Sequence, residues 1–102
     1  MLSRAEFHVL LSLLEDDRHG YAIMQDVERL TNGDVRLGPG TLYTAIARLV
    51  RTGLIEECAA DAERRRCYRV TRLGKASAKD EAKRLAALVR TARKRGLLVN
   101  EL

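Results

Sequence analysis

What this chain lacks narrows the field first. Its 102 residues include no tryptophan, one phenylalanine, one proline and two cysteines. Flat aromatic guests want aromatic stacking partners, so so few rings argue against a broad pore for aromatic molecules. No segment approaches the roughly 20 apolar residues of a membrane span, and the uncharged stretch from Phe7 to Leu14 falls far short of it. The opening residues lack the basic head, apolar core and small-residue cleavage site of a secretory signal. The expectation is therefore a cytoplasmic chain, without a membrane partner, whose cysteines are both reduced. Catalytic patterns are missing too. There is no Ser–His–Asp or Cys–His spacing, no phosphate-cradling glycine loop and no set of metal ligands, and too little chain to wall a pocket. The reading is no enzyme, no cofactor and no metal.

Charge is abundant but unevenly spread. The net is +5 with 19 Lys/Arg against 14 Asp/Glu. Residues 1–60 hold six basic and nine acidic side chains, a net of −3, whereas residues 61–102 hold thirteen and five, a net of +8. A basic balance suits a polyanion, with nucleic acid the first candidate and an acidic membrane surface the second. A solvated helix surface explains the same excess.

Ser3 followed by Glu6 is a capping-box start, and Phe7, Leu10, Leu11 and Leu14 recur at helical spacing. Val9 and Leu13 add a second apolar edge, so this helix faces two neighbours. The polar run from Glu15 to Gly20 ends it, and a second helix spans about 20–30 with Tyr21, Ile23, Met24, Val27 and Leu30 inward. Asn32-Gly33-Asp34 is a turn, and Val35-Arg36-Leu37 reads as a short edge strand. Pro39 takes the first position of a third helix, where a missing N–H costs nothing, with Leu42, Ala45, Ile46, Leu49 and Val50 on one face and Gly53 as its stop. Residues 54–60 and 66–71 form a hairpin around Asp61-Ala62-Glu63-Arg64. Thr71 caps a long fourth helix over about 72–98, on the order of 40 Å and longer than so small a domain holds inside itself. Three helices followed by a hairpin give a mainly α fold with a small β wing (α+β), a winged helix-turn-helix over residues 1–71, extended by a C-terminal helix over 72–102.

On a helical wheel of the third helix, Thr41, Thr44, Arg48 and Arg51 lie together opposite the core-facing Leu42, Ile46 and Leu49. Small hydroxyls and Gly40 at the amino end allow close approach to a major groove, the helix dipole favours phosphate, and the arginines reach base edges or backbone. The hairpin adds Arg64-Arg65-Arg66 and Arg69 beside it, placed for phosphate or a minor groove. A surface with ordinary solvated arginines is the bland alternative for both. His19 suits the cap of the second helix, and neither it nor His8 has a second ligand at metal spacing.

His19-Gly20-Tyr21, Pro39-Gly40-Thr41-Leu42-Tyr43, Arg48-Leu49, Gly53-Leu54-Ile55 and Tyr68-Arg69-Val70-Thr71 with Gly74 together resemble the phenolic-acid-decarboxylase repressor (PadR) family of bacterial winged-helix regulators. The resemblance covers nearly the whole chain, and the short tail looks like the subfamily with one C-terminal dimerisation helix. It implies a recognition helix over 39–51, DNA contacts from Gly40, Thr41, Tyr43 and Arg48, and wing contacts from Arg64, Arg65 and Arg66. Two positions depart from the pattern: Gly38 stands where many relatives have serine, and Cys67 where many have an aromatic.

Ala78, Ala82, Leu85, Val89 and Ala92 step by four and three residues, an a/d seam that wants a partner helix. Leu10 and Leu14 of the first helix join it in the expected homodimer, whose two-fold axis calls for an inverted-repeat operator. If the hairpin turns at Ala62-Glu63, Ile55 faces Val70, Glu56 faces Arg69, Glu57 faces Tyr68 and Cys58 faces Cys67. The facing cysteines are either a redox-sensing pair or two small residues in a reducing compartment. A small-molecule effector could sit near Phe7 and His8 between the first helices. The functional reading is a transcriptional repressor that binds double-stranded DNA as a homodimer. A winged-helix module that binds a partner protein instead of DNA is the second reading.

Overall fold

The computed structural model describes residues 1–60 and 62–99. Ser3 opens α1 (Arg4–Glu15) by a reciprocal cap: the Glu6 N–H donates to the Ser3 hydroxyl at 3.1 Å, and the Ser3 N–H donates to the Glu6 carboxylate at 2.7 Å. There follow β1 (Arg18–His19), α2 (Gly20–Leu30), α3 (Pro39–Arg51), β2 (Ile55–Cys58), β3 (Cys67–Val70) and α4 (Arg72–Lys94). α1 is the hub, touching α2, α3, β3 and α4. Its Val9, Leu10 and Leu13 are buried with Ile23 and Val27 of α2, Leu42, Ala45, Ile46 and Leu49 of α3, and Ile55, Tyr68 and Val70 of the wing. Each such fully buried aliphatic contributes about 1.5–3 kcal/mol relative to exposure, so this one cluster sets how α3 stands on the body. No helix among the described residues is long and apolar enough to cross a membrane.

The hairpin forms in the register expected from pairing apolar with apolar and acid with base: Ile55–Val70, Glu56–Arg69, Glu57–Tyr68 and Cys58–Cys67. The third place in the sheet goes elsewhere than the sequence suggested. Val35-Arg36-Leu37 is not a strand; the Val35 N–H donates to the Thr31 hydroxyl at 3.0 Å, and Val35 and Leu37 pack half-buried on the core. Arg18 and His19 pair antiparallel with Tyr68 and Cys67 instead, giving the sheet order β1-β3-β2. Two residues give too short a strand for a period-2 pattern to reveal.

α4 is joined to the wing by a close backbone approach. A Cβ on Gly74 would lie 2.0 Å from the Leu54 carbonyl oxygen, which also accepts from the Thr71 N–H and hydroxyl at 3.0 Å each. Gly74, Ala78 and Glu81 are buried against the body, and beyond them the helix runs free, in a molecule measuring 51 × 27 × 22 Å. It stops at Lys94, four residues short of the expected 98. Gly96 at φ +85° takes the left-handed conformation, so that the Leu97 N–H closes onto the Ala92 carbonyl at 3.0 Å. Only glycine enters that region without a steric cost.

Candidate nucleic-acid interface

The amino end of α3 stands clear of the body. Gly38, Pro39, Gly40, Thr41, Tyr43, Thr44, Arg48 and Arg51 are exposed while Leu42, Ala45, Ile46 and Leu49 are buried, as the wheel requires. Val50, expected on the buried face, is exposed at the edge of the core stripe. A Cβ at Gly40 would meet nothing within 4 Å, and no acidic residue occupies the first turn. The partial positive charge of the helix terminus therefore faces outward with no acidic side chain in its own first turn. A shallow hollow lined by Ser3, Ala5, Gly40, Thr41, Thr44 and Arg48 joins this face to the start of α1.

Arg48 is held at its base. Its Nε lies 3.2 Å from the second carboxylate oxygen of Glu6, the residue that closes the cap of α1. The Glu6 side chain is only 4% exposed and that of Arg48 58%, so one edge of the guanidinium is tied down and the other remains open. The sequence shows Glu6 as a cap; nothing in it reveals the long-range partner. Arg51 has no acidic partner among the described residues.

Tyr43 lies across the start of α2. A Cβ on the buried Gly20 would fall 2.4 Å from the Tyr43 hydroxyl, so a larger residue there would push this ring from its place. His19 caps α2 as expected, its Nδ1 accepting from the Ala22 N–H at 3.3 Å. Tyr21, expected inward, is instead 58% exposed. All three tyrosines of the chain, Tyr21, Tyr43 and Tyr68, meet with His19, Arg65 and Arg66 around a cleft of about 200 Å³ between α2, α3 and the wing. Burial, and then the charge of Glu57 across the hairpin, holds the Tyr68 hydroxyl above its ordinary range, so it remains a proton donor. This convergence went unseen in the sequence because the three rings are far apart along the chain.

The wing arginines are exposed, and most carry exposed acidic partners. Arg66 pairs with Glu57 at 3.4 Å, Arg65 with Glu63 at 3.7 Å, and Arg69 with Asp17 at 3.3 Å and Glu56 at 3.7 Å. Arg64 occupies the left-handed turn position at φ +61°. A buried carboxylate ties α2 to the start of the sheet: Asp26 on α2 pairs with Arg29 and lies 3.7 Å from Arg18, whose Nε also donates to the Ser12 carbonyl at 3.3 Å. Burial works to raise the Asp26 pKa, but the neighbouring Ser12 hydroxyl and the Arg29 and Arg18 cations outweigh it and hold the group below the usual range.

Other expected sites are redistributed. Leu10 and Ala78, assigned to a dimer seam, are 0% and 3% exposed and belong to the chain's own core. Leu14, Ala82 and Leu85 are exposed, and Val89 and Ala92 half-buried. Leu11 and Leu88 add to the uncovered apolar surface. The rings of Phe7 and His8 meet edge-on at 6.5 Å, Phe7 packs on the core, and His8 Nδ1 lies 2.7 Å from the Arg4 carbonyl. The cleft beside the start of α1, about 430 Å³, is lined by Leu2, Glu6, Thr52, Ser77, Asp80 and Arg84 among others rather than by this pair. Cys58 and Cys67 are joined as a disulfide, S–S 2.11 Å, which overturns the expectation of two free thiols. The register sets them opposite each other with Cα atoms 5.0 Å apart, within the span a disulfide bridges. Asp17 brings its carboxylate to the same point, a neighbour the sequence did not indicate.

Comparison with known proteins agrees with this geometry. A transcriptional regulator from Clostridium thermocellum superposes with a TM-score of 0.78 at 28% identity, over 87% of this chain and 89% of that one. The transcriptional regulator Rv3488 of Mycobacterium tuberculosis is 33% identical over 85 residues, 81% of this chain and 77% of the relative. A protein of Lysinibacillus sphaericus is 38% identical over 71 residues, which span 67% of this chain and 65% of the relative's length. Residues 9–80 match the profile of the transcriptional regulator PadR-like family, a non-enzymatic family. With the winged-helix architecture, the exposed α3 face and more than half of its length matched, the chain belongs to the PadR-like family of transcriptional regulators.

Proposed function

We propose that this regulator is a repressor that binds double-stranded DNA in the cytoplasm as a homodimer, inserting α3 into the major groove of each half of an inverted repeat. The observation that carries this reading is the unopposed amino end of α3, where Gly40, Thr41 and Thr44 leave room for a groove wall and Arg48 and Arg51 follow one and two turns later. Gly40, Thr41, Thr44 and Arg48 meet the bases or the adjacent phosphates, Tyr43 donates to a phosphate, and Arg64, Arg65 and Arg66 lie along the flanking backbone. Residues 1–71 form the DNA-binding unit, and from residue 72 onward α4 pairs with its counterpart through Ala82, Leu85, Val89 and Ala92, with Leu14 beside them. The free apolar side of α4, which leaves the body after Glu81, supports that pairing.

The test is equilibrium binding to a duplex from the protein's own promoter and to a scrambled duplex of equal length. Specific affinity should fall steeply with salt, by roughly a thousandfold between 50 and 200 mM if six or more phosphates are met. Arg48→Ala should remove the preference for the promoter sequence, and the molar mass by light scattering should equal two chains. Equal affinity for both duplexes, with and without Arg48, favours the alternative of a winged helix that binds a partner protein.

A further inference from the structure

The outer face of the wing brings together three donors of mixed hardness. Cys58 Sγ, Cys67 Sγ and a carboxylate oxygen of Asp17 all lie within 4.8 Å of one another. Two are contributed by facing positions of β2 and β3, and the third by the turn that joins α1 to β1. The turn is fixed there because β1 pairs with β3, setting His19 opposite Cys67. The grouping is thus a product of the three-stranded sheet and not of one flexible loop.

We propose that the reduced form of this pair, with Asp17, binds one thiophilic divalent d¹⁰ cation of the zinc class per chain. Such a cation binds thiolate sulfur at about 2.3 Å and carboxylate oxygen at about 2.0–2.2 Å, so tetrahedral donors stand about 3.6–3.8 Å apart. The Cα atoms of the pair, 5.0 Å apart, leave the two sulfurs room to separate to that spacing by side-chain rotation once the S–S bond opens. Opening needs a thiol reductant, which supplies two electrons and two protons and is itself oxidised to a disulfide. Each thiol then gives up its proton as the cation binds, leaving two thiolates and a carboxylate around it.

Two surroundings favour that chemistry. Arg65 lines the same hollow as Cys67, and a cation beside a thiol favours its thiolate, whereas Arg69, paired with Asp17 at 3.3 Å, must release that carboxylate as the metal binds. The hollow itself, about 230 Å³ and bounded by Asp17, His19, Ala22, Ala59, Arg65 and Cys67, leaves room for a water molecule as fourth ligand. Disulfide and metal-bound dithiolate are mutually exclusive states of one pair, so the site is closed in the oxidised chain and open in the reduced one. This inference does not depend on DNA binding.

The experiment titrates cadmium chloride into the full-length chain and follows the ultraviolet thiolate-to-metal charge-transfer band, then displaces cadmium with zinc. In the reduced chain the band should saturate at one cadmium per chain. It should be absent from the oxidised chain, which keeps the fold described here and controls for unfolding, and should be lost in Cys67→Ser. Asp17→Asn should retain both thiolates yet bind roughly tenfold or more weakly. An Asp17→Asn titration that overlays the parent curve, an undiminished band in Cys67→Ser, or saturation at half a cation per chain would each overturn the proposal.

Discussion

The helical trunk and the wing both carry arginines beside acids, but they hold them differently. In the trunk the acid is buried: Glu6 under Arg48, and Asp26 under Arg18 and Arg29. In the wing both partners face water, with Glu56, Glu57 and Glu63 exposed beside Arg69, Arg66 and Arg65. Exposed pairs are worth about 0–1 kcal/mol and exchange readily for another anion, whereas a buried acid stripped of its cation is costly. Of the trunk pairs, Glu6–Arg48 ties α3 to α1 and Asp26 ties α2 to Arg18 of β1, and the wing pairs are a reservoir of charge that a phosphate can take over. Net charge does not distinguish the two, although the chain's positive excess lies in its second half.

The strongest way to break this arrangement is to unseat the wing from the trunk. Gly74→Ala would place a Cβ 2.0 Å from a backbone oxygen that already accepts two hydrogen bonds, and neither backbone can yield without moving the hairpin. The expected loss is about 3 kcal/mol or more, read as a lower midpoint in urea denaturation. An unchanged midpoint would mean that the wing is held by other contacts.

Next in size is the buried acid of α2. Asp26→Asn removes the buried anion shared by Arg18 and Arg29, leaves the largely buried Arg18 only the exposed Glu15 at 3.0 Å, and should cost about 1–2 kcal/mol at neutral pH. The sign with pH follows from the lowered carboxyl. In the unfolded chain the group titrates near its ordinary 3.8, and in the folded chain below that. Its contribution is thus complete above the unfolded value and is lost as pH falls through the folded one. Melting curves between pH 7 and pH 3 should show the gap between parent and Asp26→Asn closing only at the acid end.

Arg48 separates the two classes within a single residue. Arg48→Ala should lower stability by about 1–2 kcal/mol, because Glu6 keeps the Ser3 N–H but loses its cation, and the partly exposed guanidinium discounts the larger figure for a fully buried pair. Arg66→Ala should stay within about 0.5 kcal/mol. Thermal melts of the two variants side by side test the contrast, and equal losses would erase it.

How much of this was legible in the sequence follows the range of each interaction. The Ser3–Glu6 cap, the α3 stripe, the Thr71 cap and the hairpin register all depend on residues close in the chain or on a period, and all were readable. Glu6–Arg48, Arg69–Asp17 and the three-tyrosine cleft join distant segments and left no periodic trace. The two-residue β1 is too short to carry a pattern, and it pairs with β3 where a strand at 35–37 was expected. Leu10 and Ala78 show a different limit. An apolar period locates a buried face, but it does not say whether the chain itself or a second copy does the burying.

The smallest expected effect is also the finest test of the contrast. If the wing arginines act as exchangeable charge, Arg64→Ala and Arg66→Ala should each reduce the slope of log affinity against log salt by about 1 and weaken promoter and scrambled duplexes alike. Arg66 must first leave Glu57, but that exposed pair at 3.4 Å offers little resistance. Arg64 has no acidic partner among the described residues and should show the same slope change without that small offset. A wing variant that changes which sequence is preferred would move it into the class of α3, where contact with base edges rather than phosphate sets the energy.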